Sequence, residues 1–132
     1  MAYHNINDGP LALHGLVCIN DADNVQSLLQ SGLANVNEKD VDWGYRTALH
    51  WAAMKGFTEC ANVLLEFGAN GTARMAYGIT PAHCAAETGK LAVLKLFHRT
   101  KVSITRSDDF GLKPIDKAKL YGQTQCVAFL EQ

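Results

Sequence analysis

Apolar residues fall into four clusters at helical spacing, separated by polar, glycine-bearing links. The clusters are Val25, Leu28 and Leu29; Cys60, Val63, Leu64 and Leu65; Leu91, Val93, Leu94, Leu96 and Phe97; and Cys126, Val127, Phe129 and Leu130. Each places its apolar groups on one side of a helix and predicts an amphipathic α-helix. A second short segment precedes each cluster: LALHGLVCIN from Leu11, TALHWAAMKG from Thr47, TPAHCAAETG from Thr80 and KPIDKAKLYG from Lys113. The links Gly32 to Arg46, Gly68 to Ile79 and Thr100 to Leu112 are turn-rich, and only very short strand pairing is expected in them.

The segments repeat at a fixed interval. Thr47 to Thr80, His50 to His83 and Pro81 to Pro114 are each 33 residues apart, as are Gly56, Gly89 and Gly122, while the Leu11 segment is offset from Thr47 by 36. A constant period of this size signals stacked units. The reading is a single domain over 1–132, with repeats at about 8–41, 42–74, 75–107 and 108–132. The local chemistry suits helix, turn, helix units: Thr80 supplies a capping hydroxyl, Pro81 fits the first helical turn, and the three glycines follow the short helices. No unit of this size buries its apolar face alone, so stability must come from its neighbours. The ends carry the polar groups that a water-facing unit needs: Asn20, Asp21 and Asp23 in the first, and Asp116, Lys117 and Lys119 in the last.

The T-P-L-H-x-A core on a 33-residue period resembles the ankyrin repeat, from about Leu11 to Gln132. The resemblance implies an all-α solenoid of four helix-turn-helix units with hairpin-like fingers. It gives His14, His50 and His83 a structural role, bonding neighbouring backbone and the motif threonine. It also implies a non-enzymatic module, monomeric when unbound and without a cofactor, that grips another protein with its finger tips and the exposed face of each first helix. Compact four-repeat ankyrin regulators, inhibitors or chaperones, are similar in size. The cyclin-dependent-kinase inhibitors among them have a shortened first helix in repeat two, whereas here that segment reads full length from Thr47 to Lys55. A targeting module within a longer chain is an equal alternative.

Applied to this chain, the gripping positions are Trp43, Tyr45 and Arg46 with Met54 and Lys55; Tyr77 and Ile79 with Glu87 and Thr88; and Phe110 and Leu112 with Leu120 and Tyr121. An aromatic precedes a glycine in each finger, as Trp43-Gly44, Tyr77-Gly78 and Phe110-Gly111. Aromatic and arginine side chains dominate binding hot spots, so the three rings are read either as a binding ridge or as rings folded onto the next finger. Trp51 leans toward packing. The first finger carries three extra residues, since Gly32 to Thr47 is 15 residues and Gly68 to Thr80 is 12. Extra loop length often carries function, which makes Asp40, Asp42, Trp43, Tyr45 and Arg46 the expected centre of the interface.

Composition narrows the alternatives. The 132 residues carry a net charge of -1, with no basic excess to drive nucleic-acid binding. No apolar run approaches the roughly 20 residues that span a bilayer, and Met1 to Pro10 lacks the pattern of a secretory leader. Cys18, Cys60, Cys84 and Cys126 form no CxxC pair and are read as reduced thiols of an intracellular protein. No metal or catalytic constellation is expected, because His14, His50 and His83 would sit roughly a helix-packing distance of ~10 Å apart in successive repeats. The Asn70-Gly71-Thr72 acceptor is expected to be unused. The segment LQSGLANVN resembles the sites of asparaginyl hydroxylases in ankyrin repeats, which makes Asn37 a candidate for hydroxylation. Charge is divided unevenly: residues 1–66 hold eight acidic and three basic groups, and residues 67–132 hold five and nine.

Overall fold

The computed structural model describes residues 11–132. The reading of Met1 to Pro10, and the start of the first repeat near residue 8, lie outside the described residues. Among the described residues eight α-helices form four pairs: α1 (Ala12–Cys18) with α2 (Ala22–Gln30), α3 (Ala48–Lys55) with α4 (Thr58–Glu66), α5 (Pro81–Glu87) with α6 (Leu91–Arg99), and α7 (Pro114–Leu120) with α8 (Thr124–Leu130). The first helices stack as an inner layer α1, α3, α5, α7, and the second helices as an outer layer α2, α4, α6, α8.

Alanine makes the inner layer possible. Ala48, Ala52, Ala53, Ala82, Ala85, Ala86 and Ala118 are buried between neighbouring inner helices, where larger side chains would force the helices apart. The outer helices turn Val25, Val63, Leu64, Val93, Leu94, Leu96, Phe97 and Cys126 into the same continuous core. Burying a Leu or Phe side chain stabilises by roughly 1.5–3 kcal/mol, so each unit depends on the neighbours that shield these groups.

Local signals set the helix ends. Thr47 accepts from the backbone N–H of His50 at 3.3 Å, and Thr80 repeats the arrangement with His83 at 3.4 Å. Pro81 and Pro114 occupy the first turns of α5 and α7, where no N–H is required. Asp21 caps α2 by accepting from Asn24 N–H at 3.2 Å. α3 ends at Gly56, whose φ of 77° is strained for any residue with a Cβ.

Among the described residues the fingers hold a single isolated β-bridge, Asp40 to Arg46, and two short 3-10 turns, Val41–Trp43 and Ala76–Gly78. The fingers are therefore tight turns carried side by side on the inner layer, and they put the motif histidines next to the backbone of the following finger.

Candidate protein-binding surface

Those histidines tie the units together. The backbone N–H of Thr47 donates to Nδ1 of His50 at 3.1 Å, so the ring proton sits on Nε2, which donates to the Ile79 carbonyl in the next finger at 2.8 Å. His83 does the same, receiving from Thr80 N–H at 3.2 Å and donating to the Leu112 carbonyl at 2.7 Å. A proton added at Nδ1 would break the inner bond, and burial already opposes charge. Burial lowers the His50 pKa to about 4 and lowers that of His83 as well. His14 reaches the Arg46 carbonyl with Nε2 at 3.1 Å, but its Nδ1 is buried without a partner: Leu11 stands where the second and third units have threonine, and its backbone is not extended as theirs is. Asp116 keeps the local half of the arrangement, accepting from Lys113 N–H at 2.9 Å. Among the described residues no three His, Cys, Asp or Glu groups converge on one point. Burial pushes the Cys60 thiol up to about 11 and Cys84 up to about 12, which keeps both protonated.

Main-chain pairing fixes the register of the fingers. Met75 N–H donates to the Ile79 carbonyl at 2.9 Å and Asp108 N–H to the Leu112 carbonyl at 2.8 Å, each closing a tip of three residues. In the first finger Asp40 N–H donates to the Arg46 carbonyl at 2.9 Å and encloses five. Two of the three extra residues thus sit at the tip. Counting back from the motif position, Tyr45 stands where the later fingers have Gly78 and Gly111, and it takes the left-handed conformation at φ 65°. Trp43-Gly44 is consequently out of step with Tyr77-Gly78 and Phe110-Gly111.

The aromatic rings divide accordingly. Tyr77 and Phe110 pack with ring centres 5.8 Å apart while staying 65% and 71% exposed. Trp43, 65% exposed, instead borders a concavity of about 340 Å³ between the first finger and α1. The fingers below are joined by Ala76 N–H to the Gly44 carbonyl at 2.8 Å and Asp109 N–H to the Tyr77 carbonyl at 2.9 Å. Arg74 clamps the same junction, donating to the carbonyls of Gly78 and Ser107.

In the first finger Asp42 and Tyr45 are exposed, but Asp40 is buried. The Asp40 carboxylate points inward, accepting from Trp51 Nε1 at 3.1 Å and Arg46 N–H at 3.3 Å. Its place is inside the finger and not on the outer surface, because two N–H donors there compensate a carboxylate removed from water. Arg46 is half-buried, its guanidinium 4.6 Å from the Trp51 ring centre.

On the inner helices Lys55, Leu120 and Tyr121 are exposed, and Met54, Glu87 and Thr88 half-buried. The Glu87 carboxylate beside Tyr121 pushes the phenol pKa up. Ile79 and Leu112 are half-buried and act through their carbonyls, which receive the histidines. Gly56, Gly89 and Gly122 follow their helices in left-handed conformations. Asn37 lies on the link after α2. Its Oδ1 accepts from Asn70 N–H at 2.8 Å and its Nδ2 donates to the Gly68 carbonyl at 3.4 Å.

Trp51 escapes a reading based on the finger dipeptides. Its sequence signal is positional: Gly15, Trp51, Cys84 and Lys117 all follow the motif His or Asp by one residue, and only α3 carries an indole there.

Comparison with known proteins agrees with this architecture. A family model described as ankyrin repeats (3 copies) matches residues 2–75, and one described as ankyrin repeats (many copies) matches residues 82–131. The mouse protein fem-1 homolog A-like is 37% identical over 86 residues, covering 65% of this chain and 13% of the relative. The potassium channel SKOR of Arabidopsis thaliana is 36% identical over 114 residues, covering 86% of this chain and 13% of the channel. The ankyrin repeat protein OPG189 of vaccinia virus is 33% identical over 82 residues, 62% of this chain and 14% of the viral protein. The aligned segment is thus a small fraction of each of these relatives.

Proposed function

The chain belongs to the ankyrin repeat family, a scaffold for protein-protein interaction, and on that premise we infer that it is a non-enzymatic, intracellular module that holds a partner protein against its fingers and inner helices. The carrying observation is the set Trp43, Tyr45, Tyr77, Phe110, Leu120 and Tyr121, all between 51% and 71% exposed on the fingers and the ends of the inner helices. Large apolar side chains left in water on neighbouring elements mark an interaction surface. Fixed backbone beneath them keeps the ordering entropy of binding small.

The test is capture from cell lysate by the immobilised chain, quantified by mass spectrometry. Replacing Trp43, Tyr77 and Phe110 together with Ala should remove the specifically retained proteins while circular dichroism stays unchanged. Unaltered capture by a folded variant overturns the reading. No helix among the described residues is long and apolar enough to cross a membrane.

The alternatives differ in what the surface serves. An inhibitor or chaperone would act by occupying its partner, and a targeting module would deliver attached domains, but both use the same face. A hydroxylase substrate would use Asn37 instead. There the side chain is exposed, with its amide bonded to Asn70 N–H and the Gly68 carbonyl.

A further inference from the structure

The Asn70-Gly71-Thr72 triplet, on the link after α4, contains the chain's one Asn-Gly pair. Its glycine is imposed by packing. A Cβ built on Gly71 would lie 2.6 Å from both methyl carbons of Val102 in the next link. Gly71 is outside the left-handed region, so lack of space and not backbone strain fixes the residue. The neighbouring links show the same exchange of volume. Asn35, Asn70 and Ser103 each accept from the backbone N–H two residues on, which aligns Ala34-Asn35-Val36 with Ala69-Asn70-Gly71 and Val102-Ser103-Ile104. Gly71 thus stands where the other links carry Val36 and Ile104, and the methyl groups of Val102 take the room that a side chain at 71 would need.

This packing leaves a reactive pair in the open. Asn70 is exposed, and its Oδ1 accepts from Thr72 N–H at 3.1 Å and from Thr72 Oγ at 3.2 Å. The two donors polarise the side-chain carbonyl and would stabilise negative charge developing on its oxygen. Among the hydrogen bonds of the described residues, none engages Asn70 Nδ2, the group that has to leave, and none uses Gly71 N–H, the adjacent nucleophile. Gly71 has no side chain to shield that nitrogen from Asn70 Cγ. Asn70 itself is anchored on both sides: its N–H donates to Asn37 Oδ1 at 2.8 Å, and its carbonyl accepts from Ala73 N–H at 3.1 Å.

We propose that Asn70 is a self-deamidation site. Gly71 N bonds to Asn70 Cγ as its proton passes to solvent, the Cγ–Nδ2 bond breaks, and ammonia leaves with a proton taken back from solvent. The product is a cyclic imide, which water opens. Attack at Cγ gives aspartate on the ordinary main chain. Attack at the backbone carbonyl carbon gives isoaspartate, whose main chain runs through Cβ and Cγ. Aspartate keeps the acceptor for Thr72 and makes it a charged one. Isoaspartate lengthens the main chain by a methylene between the bond to Asn37 and the contact with Val102, which disturbs the joint between the second and third units. The reaction is independent of what the fingers bind.

The test ages the purified full chain in neutral and in mildly alkaline buffer, then sequences the tryptic peptide from Gly56 to Arg74 by tandem mass spectrometry. Isoaspartate is counted with an isoaspartyl methyltransferase and labelled S-adenosylmethionine. Asn70 should exchange NH for O, faster in the alkaline buffer, while Asn62 in the same peptide stays intact. Thr72→Val should slow the conversion about fivefold, the weight of one hydrogen bond in the transition state, and Thr72→Ser should keep the rate. In a synthetic peptide of residues 66–76, where the turn is not held, the Thr, Val and Ser forms should react alike. Gly71→Val combined with Val102→Ala copies the volumes of the first link and should stop the reaction with circular dichroism unchanged. The proposal is overturned if Asn70 of the folded chain stays intact under conditions that convert the peptide, or if folded Thr72→Val reacts as fast as the unmodified chain. Unchanged conversion in the double variant overturns it equally.

Discussion

The indole N–H of Trp51 on α3 donates to the buried carboxylate of Asp40 at the base of the first finger, 3.1 Å away. This bond, with Arg46 N–H on the same carboxylate, fixes the angle at which a five-residue tip leaves the stack. Asp40→Ala would leave two donors without their acceptor and should destabilise the chain by about 1–3 kcal/mol. Urea denaturation checks the size, and the fluorescence of Trp51 should move with it. A change below about 0.5 kcal/mol would show that the carboxylate does not hold the finger.

The first unit lacks a threonine for His14, and supplying one should help. Leu11→Thr offers a hydroxyl for the unpartnered Nδ1 and a cap for α1, whose N-terminus has no side-chain cap. The expected gain is about 1 kcal/mol. A raised thermal midpoint in Leu11→Thr, absent in the near-isosteric Leu11→Val, separates the capping effect from lost apolar surface.

Acid should weaken the stack within a defined window. An unfolded histidine takes up a proton near pH 6.5, whereas folded His50 does so near pH 4. Between those values the unfolded chain binds more protons, so stability falls as pH drops from 6.5 to 4 and is level above. At about 1.4 kcal/mol per pH unit the loss is on the order of 3 kcal/mol, and His83 contributes in the same direction. Denaturation midpoints measured across this range should show the slope. His50→Gln should be less stable at pH 7 yet show a flatter acid profile, and an unchanged slope would assign the acid sensitivity to other groups.

Tyr77 and Phe110 contact each other and remain exposed, so their two roles separate in a double-mutant cycle. Replacing each with Ala, singly and together, should give a coupling of about 0.5–1.5 kcal/mol in stability. Partner capture should fall further than this coupling accounts for. Equal losses in stability and capture would mean that the rings serve the stack alone.

The helix pairs and caps were legible because each rests on a local rule repeated at a fixed period. The threonine, the proline and the glycine each do the same backbone task wherever they recur. The first finger was less legible. Its excess of three residues is visible in the spacing, but spacing does not say where an insertion lies, and the dipeptide Trp43-Gly44 imitates the later aromatic-glycine pairs. Only the main-chain bond from Asp40 to Arg46 shows that Tyr45, at φ 65°, takes the glycine position. The burial of Asp40 was hidden for a related reason. An acidic residue in a polar link reads as exposed until the donors that compensate it, Trp51 and the Arg46 backbone, are brought to the same point.

A row of units joined only to their neighbours breaks at its weakest joint. The first joint is built differently from the others: α1 meets α3 less extensively than α3 meets α5, while α2 meets α4 more extensively than the later outer helices meet each other, and Gly15 lines a gap in the inner layer. Whatever fills that gap acts as a splint across the inner layer of the joint. A partner seated there would register as added mechanical strength before it altered any other property of the molecule.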